Sequence, residues 1–395
     1  MSGPLAGISI IDMTRVLAGP FCTMMLADMG AEVIKVERPG SGDDSRAFGP
    51  FVNGESAYFM SINRGKKSVT LDLKSAEGKA LLLSLIDGAD VLVENFKPGV
   101  MKKLGLDYEV LHARNPRLIY AASTGFGQTG PYSARPAYDL VIQAMGGIMS
   151  ITGPDAAHPT KVGTSISDIS AGVFTCIGIL AALNHRHRTG EGQMVDVAML
   201  DCMVAMLENA VARFAASGVS PLPIGNRHPS ITPFSTLTTS DGMLAIACGN
   251  DALFQRFCNL IGRDGLPTDE RFATNAARTA HWADLEPLLN EAMGQQSKAH
   301  WMEVFEKAAI PCGPINDIEA LSADPQVIAR QMLVDVVHPI AGPLKVPGAP
   351  IKFSESKAEV HAPAPVLGAD NADIFGKRLG LSQEKLDALK ANGVI

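Results

Sequence analysis

The chain has 395 residues, too many for one hydrophobic core of ordinary size, so two domains are expected. Hydrophobic residues make up 46% and charged residues 19% of it, which is the composition of a globular protein rather than a disordered one. The formal net charge of −7 argues against a general nucleic-acid binder, because such a protein needs a basic surface to neutralise phosphates.

The first third of the chain alternates strand and helix patterns. Residues 7–12 predict a buried strand, residues 20–29 a helix that Pro20 opens and Gly30 closes, and residues 32–37 a second strand. A strand, a helix and a strand within about thirty residues form a βαβ unit with parallel strands. The series continues with strands at 69–73, 91–94 and 118–122 and helices at 77–87 and 100–104. We therefore predict an α/β fold with a Rossmann-like, doubly wound parallel sheet that binds ligands at the carboxyl ends of its strands.

Two apolar helices follow at 139–149 and 169–185, and the composition changes after residue 200. Residues 215–232 are rich in Gly, Pro, Ser and Asn, which is typical of a linker. A compact α+β segment comes next, with a strand at 243–247 and helices at 252–261, 283–293 and 299–307. Short strands at 333–337 and 351–353 and a helix at 383–391 end the chain. We predict a large domain from residues 1–199 and 331–395, an inserted small α+β domain at 236–318, and linkers at 200–235 and 319–330.

Cysteine usage and hydropathy indicate the cellular compartment of the protein. The six cysteines lie far apart with no C-x-x-C pair, so they predict neither disulfides nor a metal site. The first 13 residues lack a basic segment and carry Asp12, unlike a signal peptide. The longest largely apolar run, residues 169–183, is short for a membrane span and suits a buried helix. These features predict a cytoplasmic protein with no membrane partner.

Two patterns raise the question of a nucleotide ligand. Residues 125–130 match G-x-G-x-x-G, but Pro131 and Pro136 follow where a dinucleotide site needs a helix to begin, so a loop is expected. Residues 63–103 hold eight Lys or Arg against five Asp or Glu, a local excess of positive charge in an acidic protein. This excess fits either a solvated basic face or a site for an anionic ligand.

Asp168 begins the apolar stretch and is interpreted first as a helix N-cap, since Asp is among the best capping residues. The same position has a chemical consequence. The dipole and free N–H groups of a helix amino end favour a charged carboxylate, which is the form a nucleophile toward a thioester requires. The residues alone leave both interpretations open.

Nine short segments, in order along nearly the whole chain, resemble the class III coenzyme A transferases, the family of formyl-CoA transferase and the carnitine and bile-acid CoA transferases. Each is weak alone, but their order and spacing together are specific. The segments are LAGISIIDMT at 5–14, AGP at 18–20, GAEVIKVER at 30–38, LDLK at 71–74, ENFKPG at 94–99, RPAYD at 135–139, DISAG at 168–172, RTGEGQ at 188–193 and IPCGP at 310–314.

The resemblance implies a role for specific residues. The aspartate of the Asp-x-x-x-Gly segment carries the chemistry in that family, and it corresponds to Asp168 here. The large domain of the family holds the nucleotide of coenzyme A, and the arginine and lysines at matching positions would contact phosphates while Phe96 and Leu73 pack near the adenine. The residues expected to bind coenzyme A are Val16, Ala18, Arg38, Leu73, Lys74, Asn95, Phe96 and Lys103.

The implied activity is transfer of coenzyme A from an acyl-CoA donor, such as succinyl-CoA, to a free carboxylic acid, through aspartyl anhydride and thioester intermediates. Coenzyme A is then a substrate, and no metal or other cofactor is expected. Small dicarboxylic acids fit the pattern best, and Arg46 and Arg227 are the candidates for binding the distal carboxylate, because a guanidinium binds a carboxylate through two hydrogen bonds.

The sequence departs from formyl-CoA transferase at several positions. Arg15 and Leu17 stand where that enzyme has His and Gln, and residues 225–229 (GNRHP), with His228, replace its glycine run. The sequence therefore does not decide which acid is the substrate or whether a lid covers the site. One alternative is an acyl-CoA racemase of the same superfamily, which has a His where this chain has Tyr138, a poor base at neutral pH. Another is a non-catalytic CoA-binding protein, but such a protein has no need of Asp168.

The resemblance also implies a homodimer of two interlocked chains. Residues 215–232 and 322–350 are the candidate connections between the domains, because long stretches with little regular structure are unusual inside a compact monomer.

Overall fold

The computed structural model describes residues 3–395 and divides the chain into two compact units. The first unit consists of the chain up to Ile148, together with Val162–Ala212 and Pro325–Ile395. The second consists of Met149–Lys161 and Arg213–Asp324. The short piece 149–161 of the second unit lies within the span that the sequence assigned to the large domain.

The strands, numbered in chain order, are β1 (Ser9–Asp12), β2 (Glu32–Glu37), β3 (Phe51–Val52), β4 (Glu55–Ser56), β5 (Lys67–Thr70), β6 (Val91–Glu94), β7 (Ile119–Thr124), β8 (Met194–Ala198), β9 (Phe234–Thr239), β10 (Gly242–Ala247), β11 (Cys312–Pro314), β12 (Leu333–His338) and β13 (Gly342–Pro347).

The α-helices are α1 (Ala18–Asp28), α2 (Ala57–Ile62), α3 (Ala76–Asp87), α4 (Val100–Leu104), α5 (Tyr108–Arg114), α6 (Asp139–Met145), α7 (Ile148–Ile151), α8 (Ile166–Thr189), α9 (Met199–Met206), α10 (Glu208–Ser217), α11 (Asp251–Leu260), α12 (Asn275–Ala280), α13 (Trp282–Met293), α14 (Lys298–Lys307), α15 (Ile318–Ala323), α16 (Pro325–Ala329) and α17 (Gln383–Ala391). Two short 3₁₀ segments, Asp44–Ala47 and Leu266–Thr268, and a π-helix, Ala372–Arg378, complete the regular structure.

The first unit is built on a six-stranded sheet in the order β5-β2-β1-β6-β7-β8, and every pair in it is parallel. The central strand β1 pairs with β2 on one side, where Ile10 faces Val33, and with β6 on the other, where Ile10 faces Val91. The order reverses between β1 and β6, which is the crevice where doubly wound sheets bind ligands. The predicted α/β fold with a parallel sheet is confirmed.

The two faces of this sheet carry separate cores, because successive residues of a strand point to opposite sides. On one face Ile11, Ile34 and Leu92 pack against α3, α4, α5 and α17. On the other face Ile10, Val33 and Val91 pack against α1 and α8. The near-continuous apolar strands follow from burial on both faces.

Helix α8 is 24 residues long and packs closely against α1. A Cβ atom at Gly172 would lie 2.7 Å from the carbonyl oxygen of Ala18, so the absence of a side chain there permits the contact. By length and composition α8 is able to cross a membrane, but a core helix of a water-soluble protein passes the same test. In this fold Ala171, Cys176 and Ile179 of α8 are buried.

The second unit contains the antiparallel sheet β11-β10-β9 with α11, α12, α13 and α14. Its core is aromatic, with Phe254, Phe257 and Phe305 fully buried and Trp301 stacked on Phe305. The guanidinium of Arg278 is also fully buried, where it donates to the carbonyl oxygens of Thr232 and Phe272.

Several elements differ from the sequence predictions. The strand predicted at 351–353 is wrong, since that stretch has no regular structure. The predicted linker at 200–235 holds most of α9 and all of α10, and the stretch at 322–350 holds α16 and the hairpin β12–β13. Strand β9, the hairpin β3–β4 and helix α2 were not predicted, because elements of two to six residues are too short to show a clear periodicity.

The contact at Gly172 leads to a prediction. Gly172→Ala should destabilise the protein by about 1–3 kcal/mol, because the new methyl group meets a backbone carbonyl that cannot turn away. Gly163→Ala, just before the same helix, is the control, because the new atom there meets nothing within 4 Å. Urea unfolding monitored by circular dichroism measures both, and equal stability of the two variants would contradict this account of the helix contact.

Candidate active site

A cavity of about 370 Å³ opens at the carboxyl end of the parallel sheet, in the first unit. Its walls come from residues 15–18 after β1, 95–98 after β6, 123–125 at the end of β7 and 133–138 before α6, and Asp168 of α8 also lines it. The first two of these segments flank the point where the strand order reverses, so the fold itself creates the crevice.

The turn between β1 and α1 is held from two sides. Val16 has a left-handed backbone (φ 66°), which is strained for a β-branched residue. Its N–H donates to Oδ1 of Asp43 at 3.0 Å. The side chain of Asn95 accepts from the N–H of Arg15 and donates to the carbonyl oxygen of Arg15, at 2.9 and 2.8 Å. These bonds fix the unusual turn that presents residues 15–18 to the cavity.

A buried ion pair lies beneath that turn. The Nζ atom of Lys35 is 2.8 Å from Oδ2 of Asp43, and both side chains are almost fully buried. Lys35 also donates to the carbonyl oxygen of Thr14. The charge of Lys35 and the N–H groups of Ser45 and Val16 lower the pKa of Asp43 despite its burial, which keeps it ionised.

Asp168 lies in the first turn of α8 but is not its N-cap. The helix begins at Ile166 and Ser165 is the N-cap residue, which corrects the capping interpretation. Because Asp168 and Gly172 are four residues apart, they share one face of the helix, the face that meets Ala18. The Asp-x-x-x-Gly spacing therefore directs the carboxylate toward the amino end of α1. Within residues 3–395 the Asp168 side chain has no hydrogen-bond partner.

The amino end of α1 is open. Among residues 3–395 no side chain caps it, and no acidic residue lies in its first turn. Leu17 and Ala18 line the same cavity as Asp168. The free N–H groups and the partial positive charge of a helix amino end thus border the cavity.

Burial, and secondarily the negative charge of Asp139, raise the pKa of Asp168 to about 7. This finding corrects the expectation that the helix amino end keeps the carboxylate fully charged. Asp139, at the start of α6, is tied to the first turn of α8, where its Oδ1 accepts from the N–H and the hydroxyl of Ser167 at 3.0 and 2.7 Å. Gln143 donates to its Oδ2.

The structure brings together four of the eight residues expected to bind coenzyme A. Val16, Ala18, Asn95 and Phe96 line the cavity with Asp168, and the Arg15 guanidinium lies over the Phe96 ring at 5.6 Å. The other four do not line it. Arg38 and the pair Leu73 and Lys74 follow the carboxyl ends of β2 and β5, and Lys103 lies on α4. Leu73 packs on the core, Lys74 and Lys103 are exposed, and Arg38 pairs with Asp44 at 2.7 Å.

Arg46 does not fit the role proposed for it from the sequence. Its Nε and Nη2 atoms bind both carboxylate oxygens of Glu37, at 2.7 and 2.8 Å, and its guanidinium lies 3.7 Å from the centre of the Phe59 ring. A guanidinium so fully engaged is not free to bind a substrate carboxylate. Arg227, in the second unit, lies over the Trp282 ring, and the neighbouring His228 ring packs on Phe234.

The sequence analysis missed Tyr58, on the unpredicted helix α2. Burial and the charges of Asp168 and Asp43 raise the pKa of its phenol, which stays neutral and able to donate at physiological pH. No motif marks Tyr58 in the sequence.

The glycine-rich segment 125–130 is a loop between β7 and α6, as expected from the sequence.

Comparison with known proteins gives consistent matches over nearly the whole chain. The family model described as "CoA-transferase family III" matches residues 5–371. An acetyl-CoA:oxalate CoA-transferase of Acetobacter aceti is 47% identical over 89% of this chain and 90% of its own. A succinate–glutarate CoA-transferase of Agrobacterium fabrum is 44% identical over 95% of each chain. The crystal structure of a CAIB/BAIF family protein from Brucella suis superimposes with a TM-score of 0.86 at 44% identity, covering 95% of this chain and all of the other.

The proximity of two carboxyl groups leads to a prediction. Asp139→Asn should lower the pKa of Asp168 below about 7, because it removes a like charge, yet leave it above the ordinary range, because burial remains. Asp44→Asn is the control, since Asp44 lines the same cavity but does not raise the pKa of Asp168. Carbon NMR of labelled aspartate carboxyl groups across pH measures the shift. An unchanged pKa in Asp139→Asn would contradict the assigned cause.

Proposed function

The chain belongs to CoA-transferase family III and is a CoA-transferase, and on that premise we propose that it passes coenzyme A from an acyl-CoA thioester to a small dicarboxylic acid with Asp168 as the nucleophile. The observation that carries the proposal is Asp168 itself. It is a carboxyl group without a hydrogen-bond partner in the described chain, and it lines a cavity beside the open amino end of α1.

The proposed cycle begins when an Asp168 carboxylate oxygen attacks the donor thioester carbon and expels coenzyme A as a thiolate, leaving an aspartyl anhydride. The thiolate then attacks the Asp168 carbonyl carbon, which releases the donor acid and forms an aspartyl thioester. The acceptor carboxylate attacks that thioester, and the returning thiolate takes the acceptor acyl group from the second anhydride. The Asp168 carboxylate is regenerated, and no electron is exchanged with a redox group or metal.

Two features of the cavity support these steps. Asp168 is half-buried, so its carboxylate is only partly solvated, and the same burial would limit hydrolysis of the anhydrides. The open amino end of α1 offers N–H groups for the oxyanions of the tetrahedral intermediates, a contribution that typically changes rates by about 10²–10³-fold per donor.

A group with a pKa of about 7 acts as a nucleophile only when deprotonated, so the rate of transfer should increase as the pH rises through that value.

Binding of coenzyme A is proposed along the carboxyl ends of the strands. Val16, Ala18, Asn95 and Phe96 would contact the part nearest Asp168, since they line its cavity. The nucleotide and its phosphates would be held by Arg38, Leu73, Lys74 and Lys103. Their positions support this: the first three follow β2 and β5, and Lys103 lies on α4. Because the lysines are exposed, each phosphate contact should contribute about 1 kcal/mol or less.

The dicarboxylic acceptor rests on the relatives, whose names specify oxalate and glutarate. The racemase alternative has no support in the cavity. The residue before Asp139 is Tyr138, and the described lining contains no histidine to act as a base.

A cytoplasmic homodimer completes the proposal. All six cysteines are free thiols, as in a reducing compartment. Large apolar side chains such as Phe174 and Ile177 on α8 are exposed, which suits burial against a second chain. Interlocked chains part only by unfolding, so light scattering on dilution to low nanomolar concentration should find dimer alone. A folded monomer would overturn the interlocked arrangement.

The first test concerns the nucleophile. Asp168→Ala should reduce transfer by about 10⁴-fold or more, because the covalent route is lost. Its melting temperature above pH 7 should equal or exceed that of the wild type, because the raised pKa means that the ionised carboxylate destabilises the folded state. Borohydride reduction in the presence of acyl-CoA should label Asp168 in the wild type. Near-normal turnover in Asp168→Ala would exclude this residue as nucleophile.

The second test concerns the acceptor. A panel of free acids is incubated with succinyl-CoA or acetyl-CoA, and the CoA thioesters formed are quantified by mass spectrometry. Diacids of two to six carbons should be used with kcat/KM at least about 10-fold higher than monoacids of matching length, since only they present a second charge. Faster transfer to long-chain or steroid acids would overturn the proposed substrate class.

A further inference from the structure

Three cationic side chains line the cavity that contains Asp168: Arg15, Lys97 and Arg135. Arg15 is already paired, because its Nη1 atom lies 2.9 Å from Oδ2 of Asp44. Neither Lys97 nor Arg135 has an ion pair or a side-chain hydrogen bond within residues 3–395. These two are therefore the cations of the lining with charge available for a ligand.

Arg135 is held in position by an aromatic ring rather than by an acid. Its guanidinium lies 3.8 Å from the centre of the Tyr132 ring, and Tyr132 meets Phe126 edge to face at 5.7 Å. Stacking of this kind orients the plane of a guanidinium while leaving its N–H groups free. Such a side chain is preorganised for a planar anion.

The segment that carries Arg135 is anchored to the structure around Asp168. A Cβ atom at Gly125 would lie 2.2 Å from that of Ala137, so the segment packs directly on the end of β7. Four residues beyond Arg135, Asp139 accepts two hydrogen bonds from Ser167, the residue before Asp168. Arg135 and Asp168 are thus joined through a short, well-bonded path.

Lys97 belongs to a different segment of the lining. It follows Asn95 and Phe96 at the end of β6, the residues proposed to contact coenzyme A. A lysine is a point charge that suits a phosphate, whereas a guanidinium matches the two oxygens of a carboxylate.

We propose that Arg135 is the specificity-determining residue that binds the distal carboxylate of the dicarboxylic acid while its other carboxylate reacts at Asp168. The inference rests on the proposed function. It gives Arg135 the carboxylate-binding role that the sequence suggested for Arg46, whose guanidinium is paired with Glu37. The absence of any acidic partner for Arg135 in the described chain is the observation that carries it, because an unpaired cation that lines the same cavity as Asp168 is available to the substrate.

The test compares glutarate with valerate, which has the same five-carbon chain and a single carboxyl group, at fixed acetyl-CoA. Arg135→Gln should lower kcat/KM for glutarate by about 10- to 100-fold and leave that for valerate within about 2-fold. Arg135→Lys should recover part of the glutarate rate, since it restores the charge but not the paired geometry. The dissociation constant for coenzyme A, measured by calorimetry, should not change in either variant.

Lys97→Gln is the matched control, because it removes one unpaired cation from the same lining. It should weaken coenzyme A binding and lower the rates with glutarate and valerate alike. If Arg135→Gln behaves in that way, Arg135 serves coenzyme A and the inference is wrong. If Arg135→Gln keeps the wild-type preference for glutarate, the inference is also wrong.

Failure of the proposed function looks different. Wild-type protein that shows no preference for glutarate over valerate would overturn the dicarboxylate proposal itself. Wild-type protein that is not labelled at Asp168 by borohydride in the presence of acetyl-CoA would overturn the nucleophile. Wild-type preference with normal labelling, lost only in Arg135→Gln, supports the inference.

Discussion

The close approach of α8 to the start of α1 at Gly172 determines where the carboxyl group of Asp168 lies. Because Asp168 is one helical turn before Gly172, the same contact that brings the helices together turns the carboxyl group toward the amino end of α1. The amino end itself is positioned by the strained turn at Val16, which Asp43 and the buried Lys35 hold in place. A contact in the core and an ion pair beneath a turn thus set the geometry of the cavity.

Three influences on the charge of Asp168 act in opposite directions. The helix amino ends nearby favour the carboxylate, whereas burial and Asp139 favour the protonated acid, and the latter two prevail to give a pKa of about 7. Full solvation would yield a permanently charged but weak nucleophile. Complete burial without polar contacts would yield an acid that rarely ionises. This balance places the pKa near neutrality, so both the acid and the carboxylate are accessible around pH 7.

Local pattern was enough for the parts of the fold in which burial repeats along the sequence. Strands β2 and β6 and helices α4 and α17 have the predicted bounds, because apolar spacing and Gly or Pro boundaries mark them. The N-cap of α8 was misassigned, since Ser165, Ser167 and Asp168 are all good capping residues and only tertiary contacts select among them. The Glu37–Arg46 pair and the proximity of Tyr58 to charged groups depend on how β2, the following 3₁₀ segment and α2 pack, which no local signal encodes. The role of Asp168 came from resemblance alone.

In the proposed assignment, the residues that bind coenzyme A and the residue that distinguishes acceptors lie on different segments of the cavity lining. Residues 15–18 and 95–98 follow central strands, where the backbone is fixed by the sheet and by the bonds of Asp43 and Asn95, so that part of the lining has little freedom to change. Residues 132–138 form a loop, and loops accept substitutions without loss of the core. A transferase must bind coenzyme A in the same way throughout its cycle but distinguish one acid from another. Under the proposed assignments, an unpaired guanidinium on the loop rather than at the strand ends would allow the acceptor preference to change while the nucleotide site and Asp168 stay as they are.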